Sequence, residues 1–266
     1  MKKLLTITLL LLVVPILAEA QEKTKGSKTI ITKSLELDLE GVTSIEASRT
    51  VCIEIVDKDI SEIVVSANDN LMEYVNVYVV DGTLKATLTG LEGSVRRSKV
   101  KVKIPYNGSF KSFSSSSGSE ILCDQYMQMP DLEIDVTTIG KVKIYATVAG
   151  NCYIRSETSG EVELTAKIVG NCDVKSLSSS EVSAHLSANE LYVDASGASR
   201  IDVDGHVASL VVRTTSSAYF DGEYLKAQNG DLYASSGSAI IYFGTGNFTT
   251  NTTGTATITN TKFLNE

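Results

Sequence analysis

The thiol and imidazole ligands of this 266-residue chain amount to four cysteines and two histidines. Cys52, Cys123, Cys152 and Cys172 show no C-x-x-C spacing, so neither a zinc site nor a redox motif is indicated. Cys152 and Cys172 recur at one position of a repeat, where stacked α-carbons about 4.8 Å apart lie within bridging reach. Their parallel side chains suit the disulfide dihedral poorly, and both replace Leu in their column, so buried free thiols are expected. Asp202, Asp204 and His206 alternate with Ile201, Val203 and Val207, which on a strand puts the three polar groups on one outer face. Paired carboxylates there could divide into general acid and base or hold a hard cation. Alternation produces such pairs on any solvated strand, and the segment lacks the Gly-rich nonapeptide of calcium-loaded repeats. This cluster therefore carries an alternative reading, a carbohydrate-active β-helix enzyme. Ser114 to Ser117 read as turn hydroxyls, and no G-x-S-x-G elbow presents a nucleophile. No catalytic residue, metal or cofactor is expected.

A second set of residues points to binding. Glu133, Tyr153, Asp173, Tyr192, Val211 and Tyr233 fall in one outward row, and Asp135, Arg155, Lys175, Asp194 and Arg213 in the next. Tyr153, Tyr192 and Tyr233 beside Arg155 and Arg213 would make a flat platform for sugar rings or a protein partner. The absence of Trp weighs against a strong sugar platform.

The elements that must carry these rows are short alternating strands. Between Thr137 and Ser156, Val142, Ile144 and Ala146 alternate with Lys141, Lys143 and Tyr145; Cys152, Ile154 and Ser156 alternate with Tyr153 and Arg155. Restart residues Gly118, Gly140, Gly160, Ser180, Gly197, Ser217 and Gly237 keep a period of about twenty, as in solenoid arrays. Three inward columns follow, headed by Leu132, Cys152, Cys172, Leu191, Leu210 and Leu232. The expected fold is all-β, a right-handed parallel β-helix (β-solenoid), the hand following from the crossover rule. A less regular N-terminal β section precedes it, with strand runs at Leu35–Leu39, Val51–Val56, Ile63–Ala67, Val75–Val80, Leu84–Leu88 and Val100–Ile104. Asp81-Gly82 marks a hairpin, and Asn68 is placed to cap one helical turn reaching Tyr74.

Lys2 and Lys3, an apolar run from Leu4 to Leu17 and Ala18-Glu19-Ala20 form an export signal, the run being short for a membrane span of about 20 residues. The expected organisation is a signal peptide at 1–20, a lead-in at 21–34, the N-terminal β section at 35–108, solenoid coils at 109–248 and a polar cap at 249–266. After cleavage no transmembrane segment remains. A formal charge of −8 without a basic cluster argues against nucleic acid as a partner.

Several stretches in order carry a resemblance: Val51-Cys52-Ile53-Glu54-Ile55, then Ile63 to Leu71, then Val77 to Leu88 around Asp81-Gly82. Lys99-Val100-Lys101-Val102-Lys103-Ile104-Pro105 follows, leading into Ser116-Ser117-Gly118-Ser119. Together they resemble the head-GIN domain family of auto-transporter adhesins, from about Leu35 to Phe243. The resemblance implies an exported all-β solenoid of Bacteroidetes-type bacteria and supplies no catalytic residue. The expectation is thus a non-enzymatic adhesin or surface-binding protein of the envelope, in the periplasm, on the outer surface or secreted, with a glycan or protein ligand. A structural or self-associating envelope module is a further alternative.

Overall fold

The computed structural model describes residues 24–56 and 62–261; the expected signal segment lies outside the described residues. Within them the protein is all-β, a solenoid of about 7 turns preceded by irregular strands. Each regular coil has a short strand, a tight turn and a longer strand, so the stack has two sheets that face each other across one core. One sheet holds Ser112–Ser115, Leu132–Val136, Cys152–Glu157 and Cys172–Leu177 in parallel register, with Phe113 on Ile134, Ile134 on Ile154 and Ile154 on Val174. The other holds Glu120–Met129, Lys141–Val148 and Glu161–Ile168. Three long strands, Glu181–Ser196, Arg200–Thr214 and Tyr219–Ser235, serve both sheets by bending at the corner. Alternation decides what is buried: Val142, Ile144, Ala146 and Val148 point in, and the residues between them point out.

The turn explains the small-residue punctuation. Thr138 and Ile139, Thr158 and Ser159, and Ser216 and Ser217 occupy left-handed backbone as consecutive pairs. The amide of Gly140 closes one turn on the carbonyl of Thr137, and that of Gly160 another on Glu157, each at 3.0 Å. These are the mirror-image two-residue turns that suit right-twisted strands. The restart column read from the sequence is corrected here, because it mixes three positions of the turn, Gly197 standing at the first of them. Gly118, Ser217 and Gly237 are left-handed, whereas Gly140, Gly160 and Ser180 come one residue later, where the chain re-enters the core. There a Cβ on Gly140 would stand 2.3 Å from the carbonyl oxygen of Ser115. Two serines at the same position are buried yet satisfied: Ser119 Oγ donates to the Ala47 carbonyl at 2.7 Å, and Ser180 Oγ to the Ser156 carbonyl at 2.8 Å. These hydroxyls are structural.

The first end of the stack is built out of chain order. Ser44–Ala47 and Val51–Val56 form a coil lying between Thr83–Leu88 with Val100–Pro105 on one side and Ser112–Ser115 with Glu120–Met129 on the other. Antiparallel strands then close this end: Val75–Val80 on Thr83–Leu88 through Asp81-Gly82, and Ile63–Asn68 with Ile30–Leu35 on Val100–Pro105. The strand expected at Leu35–Leu39 is corrected to Ile30–Leu35; beyond it the Asp38 carboxylate accepts the amide of Glu40 at 2.8 Å and bends the chain away. Met72–Tyr74 is one 3₁₀ turn, and Asn68 does not cap it. Asn68 is instead a buried clamp, donating to the Ser27 carbonyl and accepting the Lys99 amide at 2.7 Å. At the other end Phe248–Thr253 and Thr257–Asn260 add a last, largely exposed polar coil.

Cys152 and Cys172 stack directly and, like Cys123, are buried free thiols. The neighbouring Cys172 thiol and complete burial hold Cys152 well above its ordinary value.

Candidate functional site

The longer-stranded sheet has an outer face interrupted by bulges in two places. Between Glu120–Met129 and Lys141–Val148 the register jumps from Leu122 to Tyr126, and Tyr219–Ser235 is bulged against both neighbours between Asp221 and Lys226. A bulge bends its strand and re-aims side chains. Here the bulges lift Tyr126 and Tyr224, which are 63% and 75% exposed. Between them lies a furrow of about 670 Å³. It crosses five strands, roughly 20 Å at the usual spacing of about 4.8 Å. Tyr145, with Tyr126 edge-on at 5.7 Å, marks one end and Tyr224 the other.

The furrow is polar and largely self-paired at its ends. Lys141 bridges Glu161 at 2.6 Å and Glu163 at 2.5 Å, and Lys143 lies 3.3 Å from Glu163. Burial alone would pull Lys141 down, but hydrogen bonds to Glu161 and Glu163 outweigh it and push the ammonium up to about 12. The same bond to Lys141 holds Glu163 below the ordinary carboxylate range. At the opposite end Arg200 donates two bonds to Asp202, at 2.8 and 2.9 Å, and stacks over Tyr219 at 4.8 Å. In the centre Glu181, Ser183 and Thr165 line the floor, and His185 Nδ1 lies 2.8 Å from Asp204 Oδ1. Among the described residues no group of His, Cys, Asp and Glu could hold a metal ion.

Asp202, Asp204 and His206 do point outward together, but the furrow takes only the first two. His206 stacks in the next row between Ser187 and Lys226, and the histidine in the furrow is His185, from the preceding coil. His185 alternates like any surface residue, so only the coil register could have paired it with Asp204.

The tyrosine row on the shorter-stranded sheet is corrected at its last member. Leu210 pairs with Gly230 and Val212 with Leu232, so the columns are offset by two from the reading that stacked Leu210 on Leu232. Asp231 therefore follows Val211, and Tyr233 (37% exposed) lies on Arg213 in the neighbouring row. Across the bulge in Tyr219–Ser235 the register shifts by one residue, and beyond it Leu210 and Gly230 are an ordinary repeat apart. Arg213 Nη1 donates to Tyr192 Oη at 3.1 Å with its guanidinium 5.6 Å from the ring centre, and Arg155 pairs with Glu157 at 2.8 Å. Tyr153 is exposed beside a small hollow formed with Lys111, Asp131, Glu133 and Asn151. This sheet presents a flat surface whose arginines are already engaged.

Residues 41–262 match the family model described as "Putative auto-transporter adhesin, head GIN domain". No curated protein matches the chain. Among solved structures, a "putative adhesin" from Parabacteroides merdae aligns over 90% of this chain and 98% of its own, at 15% identity and a TM-score of 0.63. A "putative adhesin" from Parabacteroides distasonis aligns over 90% and 100%, at 15% identity and TM-score 0.64. A "putative lipid binding protein" from the same organism aligns over 90% and 99%, at 15% identity and TM-score 0.61. At this identity the likeness shows a shared fold. Among the described residues no helix is long and apolar enough to cross a membrane.

Proposed function

The chain belongs to the head GIN domain family of auto-transporter adhesins, and from that premise we propose that it is an exported, non-enzymatic adhesin of the bacterial envelope that binds a glycan in the bulge-bounded furrow. The observation that carries this reading is the furrow itself, with a tyrosine at each end and hydrogen-bonding side chains between them. Sugar hydroxyls donate to carboxylates such as Glu181 and Asp204, and the apolar faces of pyranose rings stack on Tyr145 and Tyr224. Because Tyr145, Glu181 and Asp204 stand on paired strands, they are pre-positioned and little order is lost on binding. Export rests on Lys2, Lys3, the apolar run and the A-x-A site. Against catalysis stands the engagement of the carboxylates: Asp202 is held twice by Arg200, and Asp204 faces His185.

The test is binding of residues 21–266 to an array of bacterial and host glycans. A reproducible ligand is expected, with Tyr224→Ala weakening it about tenfold, the loss of one stacking contact of about 1.4 kcal/mol. Binding unchanged by Tyr224→Ala and Tyr145→Ala but lost with Tyr153→Ala and Tyr192→Ala would move the site to the flat sheet. Cleaved glycan in the mixture would convert the reading to the enzyme. Silence of a folded sample across the array would remove glycan as the ligand class.

A further inference from the structure

At the first end of the stack a second cleft, of about 680 Å³, has a different chemistry from the furrow. It lies between segment 95–99 and the outer face of Val51–Val56 and Glu120–Met129. Ile30, Val95 and Leu122 line it with apolar surface, more of it than the furrow presents, which suits a hydrocarbon chain. Arg97, Lys99 and Lys101 stand along it, against Glu54 and Glu120. Lys101 is bonded to Glu54, whereas Arg97 and Lys99 make no ion pair among the described residues. An adjoining hollow of about 750 Å³ shares Arg97 and Lys99 and adds Lys25 and Lys28 with no carboxylate. In a chain of formal charge −8 this is a local reversal of sign.

The roof is fixed in place. Thr24–Lys25 pairs with Val95–Arg96, Arg49 Nη2 donates to the Leu91 carbonyl at 2.8 Å, and the Lys99 amide is held by Asn68. Inside, the hydroxyls Thr50 Oγ1 and Ser98 Oγ are shielded from solvent without a hydrogen-bond partner. A buried hydroxyl left unpaired costs about 1–3 kcal/mol, so a ligand acceptor here recovers a real loss.

We propose that this cleft binds a single-chain anionic amphiphile, with its acyl chain against Ile30, Val95 and Leu122 and its anionic head on Arg97 and Lys99. The apolar lining selects the chain and the unpaired cations select the head. Carboxylate and phosphate heads share this chemistry, as in a free fatty acid and a lysophospholipid. The site is separate from the glycan furrow and does not depend on it.

Cys52 lines the cleft, and it is the one cysteine that is not fully buried. Burial, then the carboxylates of Glu120 and Glu54, push its thiol up to about 11, so modification is slow and easily timed at alkaline pH. The experiment follows bromobimane modification of Cys52 in the folded chain with dodecanoate, lysophosphatidylglycerol, dodecanol, acetate or inorganic phosphate added. Dansyl-labelled undecanoate gives the affinity independently, in a protein with no Trp to interfere. Protection by dodecanoate or by lysophosphatidylglycerol is expected, and their ranking identifies the head. Arg97→Glu with Lys99→Glu should weaken the dansyl probe by at least about tenfold, and Leu122→Gln should weaken it with both cations intact. Equal protection by acetate or phosphate would reduce the cleft to an anion site, and equal protection by dodecanol would remove the cations from recognition. Either outcome, or no protection by any amphiphile, overturns the proposal.

Discussion

The two outer faces of the solenoid are made by the same alternation on the same coils, yet one is flat and the other furrowed. On the shorter-stranded sheet successive strands pair without a register break, so Tyr153, Asp173, Tyr192, Val211 and Asp231 follow one another in a straight row. On the longer-stranded sheet two bulges raise Tyr126 and Tyr224 above the strands between them. The residue types are similar on both faces; relief, and with it a concave site, comes from the extra residues. In a solenoid the inserted residue says more about binding than the repeated one.

The comparison can be broken most completely through the core that both faces share. Leu191→Asp puts a carboxylate among fully buried side chains with no cation to meet it; a loss of more than about 3 kcal/mol is expected, seen as the absence of a cooperative melt by circular dichroism. Next is Gly140→Ala, where the new Cβ meets a backbone oxygen that cannot step aside. Its cost is about 1–3 kcal/mol, read as a lower midpoint in denaturant with both faces weakened alike. Tyr224→Ala separates the faces: glycan binding falls about tenfold while the melting temperature stays put, and Tyr192→Ala leaves glycan binding unchanged.

The smallest effect is electrostatic and belongs to the furrowed face alone. Because Lys141 holds Glu163 below the ordinary carboxylate range, the stabilisation is complete above the unfolded carboxyl value of about 4.3 and is lost as pH falls through the lower folded value. Lys141, pushed up to about 12, contributes fully below the unfolded amine value of about 10.4 and loses its share as pH rises toward 12. Both groups are partly exposed, so the total is less than about 1 kcal/mol. Glu163→Gln should flatten the acid limb of a stability–pH curve, and a slope unchanged from the parent would show that the pair is fully screened.

The coils were legible in the sequence because burial on one side of a paired strand forces strict alternation, as at Val142, Ile144 and Ala146. The small residues at the turns were legible for a related reason, since the crowded re-entry point at Gly140 and Gly160 excludes bulk, whereas the left-handed pair before it admits even Ile139. The offset at Leu210 and Leu232 was not, because the true partner of Leu210 is Gly230, which has no apolar side chain to mark the column, and Leu232 draws it two residues on. Tyr219–Ser235 runs past its neighbours by residues that read as ordinary strand, and those residues shape one end of the furrow. The cleft beside Cys52 was further out of reach, as it joins Ile30, Thr50, Arg97 and Leu122, which no local pattern connects.

The coil at Ser44–Val56 also differs from the rest in how far apart along the chain its partners lie. Later coils rest on a neighbour one repeat away in the chain, so each can add as soon as its predecessor exists. Ser44, by contrast, pairs with Thr83 on one side and Ser112 on the other, and neither partner is near it in the chain. Closing those long loops carries the larger entropic cost, whereas the regular coils need only local closure and can begin on any neighbouring pair. The stack is thus held by distant pairings at its first end and by near ones beyond it. Shortening the chain from the polar end removes pairings one repeat apart, whereas a cut between Val56 and Thr83 severs the first coil from a strand it pairs with.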